Sequence, residues 1–285
     1  MAPTKVKIAL VQMEVRGGQQ TWNMDHAVEL ILEAASQGAD LALLPECADL
    51  GWTHPSSRVL AAGIPEGRPC KKLASAAREN LIYVCCGLTE KCGDAVYNSA
   101  VLIDKDGTVL CQHRKLNELD IGHAYYALGD RLNVCQTEFG TIGLMICADG
   151  FADDWVLARS LCYMGADIIL SPCAWAVPGD HDNVRDPYGD VWRSSYIPVA
   201  REFSTAILGV SNVGEIDAGP WSGKKCIGCS LAMGPSGDEI LQGPYGVDAE
   251  CILYAEIQPI PRPARGTGWV ERWKRDDVSN VCTSR

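Results

Sequence analysis

Thr141-Ile142-Gly143-Leu144-Met145-Ile146-Cys147-Ala148-Asp149-Gly150 is an apolar strand that ends abruptly in a cysteine and a turn, with a helical pattern following from Asp153 to Met164. A cysteine at the mouth of a buried strand is set like a nucleophile on a tight elbow. Two other segments supply the groups such a thiol needs. Leu41-Ala42-Leu43-Leu44-Pro45-Glu46 brings a carboxylate to a second strand end, and Gln112-His113-Arg114-Lys115 brings an ammonium. An unperturbed thiol is only slightly ionised at neutral pH, so a carboxylate must take its proton or a cation must stabilise the thiolate. Glu46 suits the first task. Attack on an amide or nitrile carbon builds negative charge that a fixed ammonium and a backbone N–H can hold, as Lys115 and the amide of Ala148 would. Taken singly, each residue has a plainer reading: a buried cysteine is commonly a small core hydrophobe, Glu46 a solvated carboxylate, and Lys115 an exposed charge beside Arg114.

Their joint surroundings carry more. Lys7-Ile8-Ala9-Leu10-Val11-Gln12, Leu43-Leu44-Pro45-Glu46, Ile64-Pro65-Glu66-Gly67, Tyr97-Asn98-Ser99-Ala100-Val101-Leu102-Ile103, His113-Arg114-Lys115, Gly143 to Asp149, and Ser211-Asn212 follow one another in order. In these stretches the chain resembles the nitrilase, or carbon-nitrogen hydrolase, superfamily from about Lys5 to about Glu256. The resemblance implies an α/β fold, a four-layer α-β-β-α sandwich, in which Glu46 is the general base, Lys115 stabilises the tetrahedral intermediate and Cys147 forms a thioester. It also implies a hydrolase domain over residues 1–258 and a C-terminal arm over 259–285 that packs on a partner subunit, hence a homodimer or larger homo-oligomer. Family members usually carry a second glutamate ahead of a Gly-Asp pair. Counting back from Gly129-Asp130, that position falls on Gly122. Glu118 from a shifted loop, or His123 as a substitute acid-base group, are the candidates, and both also read as loop-surface residues.

Nitrile-hydrolysing members usually show Cys-Trp-Glu at the elbow and amide-hydrolysing members Cys-x-Asp, so Cys147-Ala148-Asp149 resembles the amidase pattern. Asp149 is thereby a substrate-pocket candidate, and it also suits a cap on the following turn. The expected activity is hydrolysis of a small linear amide or N-carbamoyl compound, releasing ammonia or an amine, without cofactor or metal. Nitrile hydrolysis by the same triad is the enzymatic alternative, and a nonhydrolytic binding or scaffold role the alternative from another class. Trp52, Tyr125, Tyr126, Trp175 and Trp192 are candidates for the pocket wall, with Trp175 equally suited to the core. Arg185 or Arg193 would hold a substrate carboxylate if turned inward.

Composition fits an ordinary globular enzyme. The 285 residues, 47% hydrophobic, suffice for one large domain, and no linker, repeat or low-complexity tract divides them. A formal net charge of -11 opposes nonspecific nucleic-acid binding, which needs arrays of Lys and Arg. Fourteen cysteines with no signal-like N-terminal segment suggest a reduced, cytoplasmic chain. Cys226 and Cys229 have half the spacing of a zinc site, and no second pair follows. No segment has the length and apolarity of a membrane span.

Periodicity predicts strands at Lys5 to Met13, Leu41 to Leu44, Leu81 to Leu88, Tyr97 to Ile103 and Thr108 to His113, and helices at Thr21 to Gln37 and Lys71 to Asn80. Beyond the elbow it predicts strands at 168–171, 205–210, 227–233, 239–242 and 250–257, with a helix within 191–203. Pro259, Pro261 and Pro263 oppose a regular helix at the start of the tail, while Trp269 and Trp273 offer it apolar surface.

Overall fold

The computed structural model describes residues 4–264. Its first half runs β1 (Val6–Gln12), α1 (Gln20–Ser36), β2 (Leu41–Leu43), α2 (Ser57–Leu60), α3 (Arg68–Asn80), β3 (Tyr83–Cys92), β4 (Ala95–Ile103) and β5 (Val109–Arg114). The second half opens with β6 (Val134–Thr137), β7 (Gly140–Leu144), α4 (Val156–Tyr163), β8 (Ile168–Cys173), β9 (Ala176–Pro178), α5 (Gly189–Phe203) and β10 (Ala206–Ser211). It closes with β11 (Val213–Glu215), β12 (Lys224–Ile227), β13 (Leu231–Met233), β14 (Glu239–Gln242) and β15 (Cys251–Ile257). The arm expected over 259–285, with Trp269 and Trp273, lies outside the described residues from 265 onward.

Two six-stranded sheets, ordered β15-β1-β2-β3-β4-β5 and β14-β13-β10-β8-β7-β6, form the centre. The inner strands β1, β2, β8 and β10 are buried on both faces, and alternation sorts the side chains between layers. In β1, Val6, Ile8 and Leu10 point between the sheets toward Ile142, Leu144, Ile168 and Leu208. Ala9 and Val11 point the other way, onto α1 and α3. The outer face of the second sheet packs Ile169 and Ile207 against α4 and α5 through Leu161, Tyr196, Val199 and Phe203. These layers make the expected four-layer α-β-β-α sandwich. A third sheet, β11-β12-β9, was not foreseen because its strands are short.

The helices form where their apolar stripes recur. Met24, Ala27, Leu30, Ile31 and Ala34 lie buried on one face of α1, the spacing of an amphipathic helix. The turn after β4 is closed as the sequence suggests: Asp104 Oδ1 accepts the N–H groups of Asp106 and Thr108 at 2.9 and 2.8 Å, and Gly107 takes a positive φ of 82°.

Two expectations need correction. The strand expected at 227–233 is interrupted at 228–230, where Gly228 and Cys229 take positive φ values of 65° and 60°, and only its ends belong to β12 and β13. The segment after the elbow is not a single helix from Asp153 to Met164 but two 3-10 turns, Cys147–Phe151 and Asp153–Trp155, followed by α4. The left-handed φ values of Asp154 (55°) and Trp155 (52°) break the helical path, so α4 starts only at Val156.

Candidate active site

Three strand ends deliver the site. Glu46 follows β2, Lys115 follows β5 and Cys147 follows β7, and all three line one cavity of about 160 Å³. Cys147 has a φ of 44°, a left-handed conformation in which a non-glycine residue sits only when its surroundings impose it. Its N–H donates to Ser171 Oγ at 3.2 Å. The loop bearing Glu46 is anchored by its own N–H to the carbonyl of Cys173 (3.2 Å) and by the Gly87 N–H to the carbonyl of Pro45 (2.9 Å).

A buried charged cluster joins the first two groups. Lys115 Nζ donates to Glu46 Oε1 at 2.7 Å and to Glu118 Oε1 at 3.0 Å. Asn98, on β4, bridges the same carboxylates, its Nδ2 donating to Glu46 Oε1 (2.6 Å) and Glu118 Oε2 (3.0 Å). Trp52 Nε1 and the Leu119 N–H also donate to Glu118 Oε1, at 3.3 and 3.0 Å. Burial, reinforced by the Glu118 charge, holds the Glu46 carboxyl above its ordinary range against the pull of Lys115. Burial works against the Lys115 ammonium, yet the two carboxylates outweigh it and keep the side chain charged well beyond the usual lysine range. The neighbouring Cys173 thiol, burial and the Glu46 charge hold the Cys147 thiol well above its usual range. Cys147 is therefore held as a thiol, and a carboxyl group with raised proton affinity lines the same cavity.

A model of the carbon-nitrogen hydrolases matches residues 7–260. The chain belongs to the carbon-nitrogen hydrolase family. It is 36% identical over 177 residues to a nitrilase of Pyrococcus abyssi, covering 61% of this chain and 66% of that one. An omega-amidase of Bos taurus is 32% identical over 180 residues, 59% of this chain and 63% of its own. The matched segments thus span about two thirds or less of these two relatives. An (R)-stereoselective amidase of a Pseudomonas species is 27% identical over 81% of this chain and 78% of its own. Among solved structures, a carbon-nitrogen hydrolase from Helicobacter pylori G27 superposes with a TM-score of 0.79 at 22% identity, over 99% of both chains. A mutant amidase from Nesterenkonia sp. AN1, with an acetamide moiety covalently added at its active-site cysteine, superposes at 0.75 and 19% identity over 97% and 96% of the chains.

Within this family member the residues singled out from sequence separate clearly. Glu46, Lys115, Cys147, Ala148 and Trp52 line the cavity, as does Trp192. Glu118 is buried against Lys115, whereas His123 is exposed and belongs to the surface, which corrects its candidacy as a substitute acid. Asp149 is fully buried and does not line the cavity. Its carboxylate accepts His113 Nε2 (2.7 Å) and the N–H groups of Ile146, Leu116 and Asn117. Burial opposes that charge, but His113 and the backbone donors hold its pKa below the ordinary value. Asp149 thus caps the elbow and ties it to the segment after Lys115.

Tyr125 is likewise not a wall residue: it packs with Tyr126 beside the cluster of Cys47, Trp52 and Ala174. Trp175 lies one layer behind the wall, stacked on Trp192 at 4.4 Å between ring centroids, with no hydrogen-bond partner for its indole nitrogen. Arg193 is held by Glu239 (2.6 Å) and Asp190 (2.9 Å), Arg185 is exposed, and neither lines the cavity. Asn98 and His113 were missed as site residues. Asn98 carries a signal, a polar side chain in the mostly apolar β4, whereas His113 stands between Gln112 and Arg114 and is not marked in this way. Phe151, Tyr188 and Trp221 were missed as wall residues, and no local pattern marks them.

Proposed function

We propose that this carbon-nitrogen hydrolase is an amidase that cleaves a small linear amide or N-carbamoyl compound through a cysteinyl thioester, releasing ammonia or an amine. The observation that carries the reading is the placement of Cys147, Glu46 and Lys115 on one cavity, with the thiol held toward its protonated form by the Cys173 thiol and burial, and the carboxyl by burial. Ionised Glu46 takes the thiol proton as sulfur bonds to the amide carbon. The oxyanion that forms is met by the Lys115 ammonium and the Ala148 N–H. Glu46 then passes its proton to the nitrogen, the C–N bond breaks and ammonia or the amine leaves. Water attacks the thioester with Glu46 again accepting a proton, the C–S bond breaks, and the acid departs as the thiol recovers its proton. Glu118 fills the role of the second carboxylate, holding Lys115 together with Glu46.

The amidases among the relatives and the Cys-Ala-Asp elbow support amide rather than nitrile chemistry. The nitrilase relative supports the second reading, hydrolysis of a nitrile to an acid and ammonia. Intact-mass analysis of enzyme quenched during turnover of short amides should show an acyl adduct on Cys147, absent in Cys147→Ala. Turnover retained in that variant would refute the thioester route. Faster release of ammonia from butyronitrile than from butyramide would select the nitrile reading.

A further inference from the structure

Resting on the amidase reading, we propose that the pocket takes a compact, uncharged, apolar acyl group and rejects acyl chains that end in a carboxylate. The cavity measures about 160 Å³. That is close to the roughly 150 Å³ of an apolar cavity able to take up benzene, and well below the space a drug-sized ligand fills. Its walls are the rings of Trp52, Phe151, Tyr188, Trp192 and Trp221, with the small side chains of Ala174 and Ala176 between them. Trp52 leans on Trp221 at 4.7 Å between centroids, and Phe151 on Trp192 at 4.4 Å, so the rings brace one another. Aromatic faces carry the negative part of the ring quadrupole and repel an anion laid against them.

The fixed charges act in the same direction. The charged residues lining the cavity are Glu46 and Lys115, and Glu118 stands directly behind. Two carboxyl groups face one ammonium, so the cluster is neutral with Glu46 protonated and anionic with it ionised. Lys115 already donates to both carboxylates and is the cation the oxyanion requires. It has no charge to spare for a second anion. Arg193 is spent on Glu239 and Asp190. Lys224 lies over the Trp221 ring at 3.9 Å from its centroid and does not line the cavity. A substrate carboxylate would thus lose its water and meet no uncommitted cation among the residues lining the cavity, a cost that a neutral isostere avoids.

Purified full-length enzyme supplied separately with isovaleramide, succinamate and 4-aminobutyramide gives the test, with kcat/KM and the acyl adduct on Cys147 read for each. The neutral amide should exceed both charged ones by about 100-fold or more. Phe151→Arg, which puts a guanidinium on the wall, should narrow the gap between isovaleramide and succinamate at least about tenfold, and Lys224→Ala should leave it unchanged. Succinamate turned over as well as isovaleramide, or 4-aminobutyramide turned over better, would overturn the inference while leaving the amidase reading intact. If Phe151→Arg does not fold, the comparison in the wild type decides alone. Absence of a Cys147 adduct with every amide would overturn the amidase reading itself.

Discussion

At Gly122 the space a side chain would take belongs to Glu118. A Cβ built on Gly122 would meet Glu118 Cγ at 2.6 Å, Cδ at 2.8 Å and Oε1 at 2.9 Å. The space into which a residue at 122 would project is occupied by the carboxylate of a residue four positions earlier. Asp120–Ala124 forms a 3-10 turn, with the Gly122 N–H bonded to the carbonyl of Leu119 at 2.7 Å, and this fold-back brings the two positions together. Glu118→Gln keeps the shape but removes one of the two charges on Lys115, so kcat should fall by about 100-fold and the pH-rate profile should move. His123→Ala, on the surface, should leave both nearly unchanged. The opposite pattern in steady-state kinetics would return the second acid to His123. The sequence placed both residues in one loop and favoured Glu118 only slightly, as the residue that keeps a carboxylate's charge, because which of them turns inward depends on Lys115, Asn98 and Trp52 rather than on their own neighbours in the chain.

At the scale of the element, β3 determines where Glu46 can sit. Gly87 lies inside this buried strand, and a Cβ there would approach Glu46 Cα at 2.5 Å, the Pro45 carbonyl oxygen at 2.7 Å and Cys47 N at 2.8 Å. The loop carrying Glu46 crosses the strand so closely that only glycine leaves room. Gly87→Ala should displace that loop, costing about 1–3 kcal/mol of stability and a larger share of kcat than of KM, because the base moves away from the thiol. Unfolding by urea and steady-state kinetics measure the two effects, and a variant with wild-type kcat would show that the loop yields without moving Glu46. A second tie acts across elements. Asp149 holds the N–H groups of Leu116 and Asn117, so the segment after β5 and the elbow after β7 are positioned by one carboxylate. The sequence suggested a cap at Asp149, and the structure extends that role to the lysine segment.

Across the whole molecule, burial also leaves a charge that pH can test. Asp49 is fully buried, accepts the Thr89 N–H at 2.9 Å, and is pushed up to about 6 by desolvation, which its hydrogen bonds only partly offset. Its folded pKa lies above the unfolded value of about 4, so the folded state binds the extra proton between those pH values. The resulting stabilisation is fully present below about pH 4 and is lost as pH rises through about 6. Asp49→Asn cannot ionise, so its urea midpoint relative to wild type should shift in the variant's favour as pH rises from 4 to 7. A difference that stays constant across that range would place the Asp49 pKa at its ordinary value. Much of the architecture was legible before any coordinates. The alternation of Val6, Ile8 and Leu10 with Ala9 and Val11 encodes a strand buried on both faces, and the spacing of Ala27, Leu30, Ile31 and Ala34 encodes a helix with one buried face, because backbone geometry alone sets those periods. The elbow at Cys147 and the strand ends at Glu46 and Lys115 were legible for the same reason. What only the tertiary structure decided are the relations between segments far apart in the chain: Glu118 over His123, Trp175 behind Trp192, Asp149 beneath the lysine segment, and an aromatic cavity assembled from Trp52, Phe151, Tyr188, Trp192 and Trp221. Local periodicity records which face of an element is buried, whereas the partner met on that face is set by how separate elements pack, and no repeat within either element carries that information.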